Sequence, residues 1–283
     1  MKNRLGYVYT LPLLFWMSTF FLVPLLIIVT FSFLQKGLYG GVTPNLSFEA
    51  YRSLFNPVLL RVSWATFYMA FISTVLMLVL ALPTAYFMAR SPHKNFLLLL
   101  IIVPFWINFL IRIYAWIAIL GNNGILNQLL LRMGLLQEPF QFLYNPRAII
   151  VVLVYTYLPF AILPLYSTIE KFDFSLLEAA RDLGATKFQA ILHVLLPSIR
   201  GGLFSAILFT FIPAFGQYAI PQLVGGNQSY MLGNIIAREL TITRNWPLSS
   251  AISTLLMLLT MLGVYWFMWQ NKRSTQAKRD DHG

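Results

Sequence analysis

The chain is 283 residues long, 58% hydrophobic and only 10% charged, with a mean hydropathy of +0.71, whereas soluble domains carry roughly 25% charged residues; a soluble enzyme is excluded. Spans need about 20 residues each, so six of them leave short loops and no room for an added soluble domain. The net charge of +11 is spread over short loops between apolar blocks, which reads as membrane topology and not nucleic-acid binding, and the lack of cysteine excludes disulfides and thiol-ligated metals.

In chain order, a basic start (Lys2, Arg4) precedes an apolar run over 11–33 that is too long for a signal peptide and lacks a small-residue cleavage site. It is expected to be an uncleaved first span. A Gly- and Pro-rich polar connection follows to residue 60, with Ser47 and Glu49 opening a short helix. The second span is expected over 62–88 and, after a very short basic loop, the third over 96–120. Gly121-Asn122-Asn123-Gly124 is a turn signal, and Ile125, Leu126, Leu129, Leu130 and Met133 mark an amphipathic helix. The fourth, fifth and sixth spans are expected over 148–169, 203–224 and 249–269. A helix near 234–240 is expected before the sixth span, and a polar tail after it.

The longest polar interruption is 170–200, between the fourth and fifth spans. Ser175 with Glu178, and Thr186 with Gln189, have the spacing of capping boxes, and Gly184 between them suits a left-handed helix stop. Two short helices with a bend are expected. The second carries Phe188, Ile191, Leu192 and Leu195 on one face and should end before Pro197. Helices of about ten residues are marginal alone, so this pair either docks on a second protein or lies on the membrane surface.

Prolines 24, 83, 104, 159, 164 and 213 fall inside spans. They either kink helices around a path or reflect the usual tolerance of membrane helices for proline. In the third span Phe105, Asn108, Arg112 and Trp116 recur at helical spacing on one face, beside Trp106. Arg112 there faces the bundle interior or snorkels to the outer interface, whereas Asn108, a turn deeper, needs a partner. Tyr157 and Gln217 are further candidates for a path, and a counter-charge for Arg112 would come from a partner's acid or from Glu239. No nucleotide-cradling G-x-x-x-x-G-K-[ST] occurs, and the three histidines lack metal-ligand spacing. A proton-coupled transporter or a channel would use intramembrane acids, which are lacking, and no nucleophile–base pair suggests a membrane enzyme.

Glu178-Ala179-Ala180, Gly184 and Val194-Leu195-Leu196-Pro197 resemble the EAA loop of binding-protein-dependent ABC importer permeases, a family that favours Ile where Val194 stands. Val103-Pro104-Phe105-Trp106-Ile107-Asn108, Leu110 to Tyr114, Leu158-Pro159-Phe160 and Leu163 to Lys171 are similar to the spermidine/putrescine branch. The resemblance implies an all-α, six-span polytopic protein of the type I importer fold, in the bacterial cytoplasmic (inner) membrane with both termini inside. Its coupling helix, with Glu178, Ala179, Ala180, Asp182 and Gly184, would meet a cytoplasmic ATPase. It further implies a second homologous permease, two ATPase subunits that bind ATP and Mg, and an extracytoplasmic binding protein. Neither a cofactor nor a metal is expected in this chain itself, nor nucleic acid among its partners. The implied solute is a polyamine, or another small solute carried by a related branch.

Overall fold

In a bilayer, backbone N–H and C=O groups must be satisfied within the protein, and helices do this segment by segment. The computed structural model describes residues 2–226 and 229–280. Its helices are α1 (Lys2–Met17), α2 (Val23–Ser32), α3 (Glu49–Ser53), α4 (Pro57–Arg90), α5 (Lys94–Ile102), α6 (Phe109–Leu120), α7 (Ile125–Arg132), α8 (Pro146–Ile169), α9 (Ser175–Asp182), α10 (Lys187–Ala190), α11 (Leu196–Ser198), α12 (Arg200–Phe215), α13 (Leu232–Thr241) and α14 (Trp246–Asp280). Thr10–Ser32, Pro57–Arg90, Phe109–Arg132, Pro146–Ile169 and Trp246–Tyr265 are long and apolar enough to cross a membrane, and the bent pair Lys187–Ser198 and Arg200–Phe215 makes a sixth if taken as one span.

Two expected spans are broken. The third, expected as one helix over 96–120, is α5, a 3₁₀ turn at Val103–Trp106, an extended Ile107, and then α6. The break follows Pro104, and Asn108 restarts the helix by accepting the Leu110 N–H at 2.9 Å, as an N-cap does. The fifth, expected over 203–224, ends as α12 at Phe215, and a π-helical turn at Pro221–Gly225 follows. Between them Gln217 accepts from the backbone N–H of Tyr218 and Ala219 at 2.8 and 3.2 Å.

The chain divides into two units, Met1–Val62 with Ile235–Met261, and Ser63–Asn234 with Leu262–Gly283. In the first, β1 (Leu34–Lys36) and β2 (Val42–Leu46) form an antiparallel hairpin where a polar connection was expected. Gly40 and Gly41 turn it at φ +95° and +78°, and the Gly41 N–H donates to the Arg244 carbonyl at 2.9 Å. Ser47 accepts from Glu49 N–H at the start of α3, and the Ser32 and Tyr51 hydroxyls lie 2.8 Å apart.

The core of the second unit is built from α4, α8, α12 and the α9–α11 segment: Met77, Ala81, Ala85 and Met88 pack with Ala161, Leu165, Ile169, Leu177, Leu195, Ile199 and Ala206. Small residues dominate one side because apolar lipid gives helices little hydrophobic drive to associate, and close approach with van der Waals contact has to hold them. Gly202 faces the Thr168 side chain so closely that an added Cβ would collide with it. Thr168 in turn donates to the Pro164 carbonyl at 2.9 Å.

Candidate coupling and transport sites

The polar segment after α8 is tied at its start by Lys94, whose Nζ donates to Glu170 Oε1 at 2.7 Å. That hydrogen bond holds the Glu170 carboxyl below its ordinary range and raises Lys94 above its own. The expected capping box of Ser175 and Glu178 does not form: Ser175 lies inside α9 and makes no cap bond, and Asp173 accepts its N–H at 3.0 Å instead. Asp173, which the sequence reading passed over, sits two residues upstream, where a carboxylate can meet the free donors of the first turn. Bonds from the Ser175 hydroxyl and N–H hold its carboxyl below the usual range.

At the other end of α9, Gly184 has φ +91°. Its N–H donates to the Arg181 carbonyl at 2.9 Å and that of Ala185 to Ala180 at 3.1 Å. This is the paired closure of a Schellman stop, with glycine at the left-handed position. The second capping box forms as expected, Gln189 N–H to Thr186 Oγ1 at 3.3 Å and Thr186 N–H to Gln189 Oε1 at 2.9 Å. The second helix does not end before Pro197. A π-helical turn at Ile191–Leu195 shifts the bonding to i−5, with Leu196 N–H donating to Ile191, and Pro197 enters the first turn of α11, where its missing N–H costs nothing. The chain then bends by 77° into α12.

The resulting helix pair has two sides. Leu177, Ala190 and Leu195 are buried in the core, and Ala180 packs against it. Glu178, Ala179, Asp182 and Gly184 are exposed, and with them stand Leu183 at 90% and Phe188 at 73% exposure. The expected apolar face of the second helix is therefore split, Leu195 inward and Phe188 outward. Arg181 and Lys187 line an open cleft beside Glu178 and Asp182. Exposed large side chains next to small residues and mixed charge suit a protein partner.

The other candidates lie at the breaks of the third and fifth spans. The Arg112 guanidinium Cζ sits 5.7 Å from the Phe105 ring centroid and 6.0 Å from that of Phe109. Phe105 meets Phe160 edge-on at 5.2 Å, Phe160 lies 6.0 Å from Tyr157, and the Tyr157 hydroxyl accepts from Gln217 Nε2 at 2.8 Å. One connected cluster thus joins Arg112, Phe105, Tyr157 and Gln217 through Phe160, with Phe109 against Arg112 at its edge; the sequence reading missed both of these phenylalanines. Trp116 pairs instead with Tyr155 at 5.3 Å, and Trp106 is 79% exposed. Asn108 belongs to the chain's own backbone as the α6 cap, because the break puts it outside the helix on which a shared face was expected. Glu239 accepts from the Thr243 hydroxyl at 2.6 Å, and among the described residues of its own unit Arg112 makes no ion pair.

Comparison with known proteins gives the family. Residues 2–276 match the family described as binding-protein-dependent transport system inner membrane component. The chain is 40% identical over 259 residues to the spermidine/putrescine transport system permease protein PotB of Haemophilus influenzae, covering 91% of each chain. It is 40% identical to PotB of Escherichia coli, covering 89% of this chain and 93% of that one, and 31% identical to the Escherichia coli inner membrane ABC transporter permease protein YdcU, covering 78% and 75%. A chain in the crystal structure of a bacterial ABC transporter involved in the import of the acidic polysaccharide alginate superposes with a TM-score of 0.77 at 17% identity, covering 96% of both, which speaks for the fold. The chain therefore belongs to the family of binding-protein-dependent transport system inner membrane components, a multi-pass membrane subunit of an ABC importer and not itself an enzyme.

Proposed function

We propose that this chain forms one half of the translocation path of an ATP-driven importer for linear polyamines such as spermidine and putrescine. Likeness to the PotB permeases over about nine tenths of the chain carries the solute assignment. The complex then comprises a second, homologous permease, two ATPase subunits that bind ATP and Mg, and a binding protein outside the membrane. The exposed side of α9 and α10 is the ATPase contact: Glu178 and Asp182 bring charge, Ala179 and Ala180 allow close approach, and the Gly184 stop fixes the bend. Closure of the ATPase pair moves the docked helices as a rigid body and shifts the spans between inward- and outward-facing states. This orientation puts both termini and the helix pair in the cytoplasm.

Physical chemistry supports the solute in part. Aromatic faces attract ammonium groups by about 0.5–2 kcal/mol each, so Phe105, Tyr157 and Phe160, with Trp106 and Trp116 beyond them, are weak stations that a solute can leave. Uptake of labelled spermidine and putrescine is measured in cells with and without the chain, alongside solute-stimulated ATPase of the purified complex. Both should require the chain and respond to polyamines. An ATPase that ignored polyamines and rose with an anionic or neutral solute would overturn the solute and leave the importer standing.

A further inference from the structure

Three observations converge on Arg112. Its guanidinium rests against the rings of Phe105 and Phe109 at 5.7 and 6.0 Å. Its Nε is buried without a hydrogen-bond partner, and among the described residues of its unit no carboxylate pairs with it. Of the amide oxygens nearby, Gln217 Oε1 already accepts two N–H groups, those of Tyr218 and Ala219, and Asn108 Oδ1 is engaged by the N–H of Leu110. The surface most open to a cation is therefore aromatic, and Arg112 already occupies it.

The place is also special in its backbone. Ile107 is extended between two helices in the midst of an apolar stretch, with Trp106 and Ile107 79% and 49% exposed. Irregular backbone at membrane depth is tolerated against protein or a water-filled cavity and not against lipid. From there the aromatic surface continues through Phe160 to Tyr157.

We propose that Arg112 is a resident cation of the path: between transport cycles it sits on the aromatic seat of Phe105 and Phe109, its fixed charge keeps small inorganic cations from leaking through, and an ammonium group of the arriving solute takes its place. The proposal rests on the reading of the solute as a polyamine. A fixed arginine charge excludes cations from a pore by the same electrostatic barrier that it raises in other water-filled membrane paths. Because guanidinium and ammonium are drawn to the same ring faces, the exchange replaces one cation–π contact by another, and the seat is never left empty.

The assembled transporter, purified from its own cells through a tag on this chain, is reconstituted into K⁺-loaded vesicles. Efflux is read without ATP, then with added spermidine. Arg112→Gln should leak K⁺ faster than the unaltered complex, and spermidine should block that leak by occupying the vacated seat. Adding Phe105→Leu to Arg112→Gln should keep the leak and raise the spermidine concentration needed for half block by roughly 2- to 30-fold, the range spanned by one cation–π contact. Arg112→Lys retains the charge and should stay tight. A leak no faster in Arg112→Gln than in the unaltered complex overturns the proposal, as does a leaky Arg112→Lys, which would assign closure to shape. A leak that spermidine does not block overturns the exchange. Spermidine uptake by the unaltered complex in the same vesicles tests the solute assignment separately, so the two failures are distinguishable.

Discussion

Two glycines in the second unit are there for opposite reasons, and substitution separates them. At Gly184 nothing lies within 4 Å of where a Cβ would stand, yet φ is +91°. A side chain there meets only its own backbone, at a cost of about 1–2 kcal/mol, more for a β-branched residue. Gly184→Val should therefore loosen the Schellman stop, leave membrane insertion intact, and sharply reduce both uptake and co-purification with the ATPase, while Gly184→Asn should be nearly silent. Normal uptake and normal co-purification in Gly184→Val would remove the lever role from this bend. At Gly202 the backbone is ordinary and space is the constraint. Gly202→Ala collides with Thr168 and should lower stability by about 1–3 kcal/mol through overpacking of α8 against α12. Thr168→Ala in the same chain removes the hydroxyl but keeps a Cβ 2.8 Å from the new one, so it should restore only part of it, read as the thermal midpoint in detergent, since residues in contact do not add independently.

Asn108 shows how an element changes what a residue is for. Because the third span is interrupted, Asn108 caps α6, and Asn108→Leu should cost about 0.5–2 kcal/mol of local stability as a lost cap, with reduced uptake as a consequence. Asn108→Asp or Asn108→Ser keeps an acceptor and should restore the thermal midpoint. If Asn108→Leu lowered uptake with the midpoint unchanged, Asn108 would instead be a contact for solute. The sequence shows that a proline precedes an amide here, but not where the helix restarts, since the apolar pattern runs unbroken through Ile107. The hairpin at 34–46 was hidden for a related reason: Gly40 and Gly41 read as a loop, and the strands are too short and too polar to alternate visibly. Gly184 and the Thr186–Gln189 box were legible because caps are local chemistry within four residues. Ser175 misled because Asp173, two residues earlier, competes for the same donor and wins. The aromatic cluster around Arg112 joins the 3₁₀ turn, α6, α8 and the connection after α12, and spacing along one helix gives no view of the others.

The Lys94–Glu170 pair, which ties the start of α5 to the end of α8, also gives an expectation for pH. The Glu170 carboxyl lies below its ordinary value when folded, so below neutrality the unfolded chain takes up the proton first. The pair's contribution is full at neutral pH and is lost as pH falls through the folded value. For Lys94, raised by the same bond, it is lost only on the far alkaline side. Glu170→Gln should flatten the acid fall of the thermal midpoint and leave its neutral value little changed, since the pair is partly exposed and screened by solvent. An acid limb as steep in Glu170→Gln as in the unaltered chain would show that other carboxyls govern it.

Orientation decides whether the helix pair can meet an ATPase at all, and charge argues for it. With both termini inside, twelve Lys and Arg residues fall in cytoplasmic segments, among them Arg90, Lys94, Lys171, Arg181, Lys187 and Arg200; seven, including Arg61, Arg132 and Arg147, fall outside. Short cytoplasmic loops carry the excess of such residues. The bias is moderate in number, and four of the twelve lie in 170–200, between the apolar helices α8 and α12. The chain contains no cysteine, so a single one reports without background. Lys187 and Asn123 are both exposed, and the bond from Gln128 at position 123 goes to the main-chain carbonyl, which substitution leaves in place. In intact cells an impermeant maleimide should label Asn123→Cys and spare Lys187→Cys until the membrane is opened. If Lys187→Cys were labelled and Asn123→Cys spared, the α9–α10 pair would face away from ATP, and its exposed Leu183 and Phe188 would belong to a partner outside the cytoplasm.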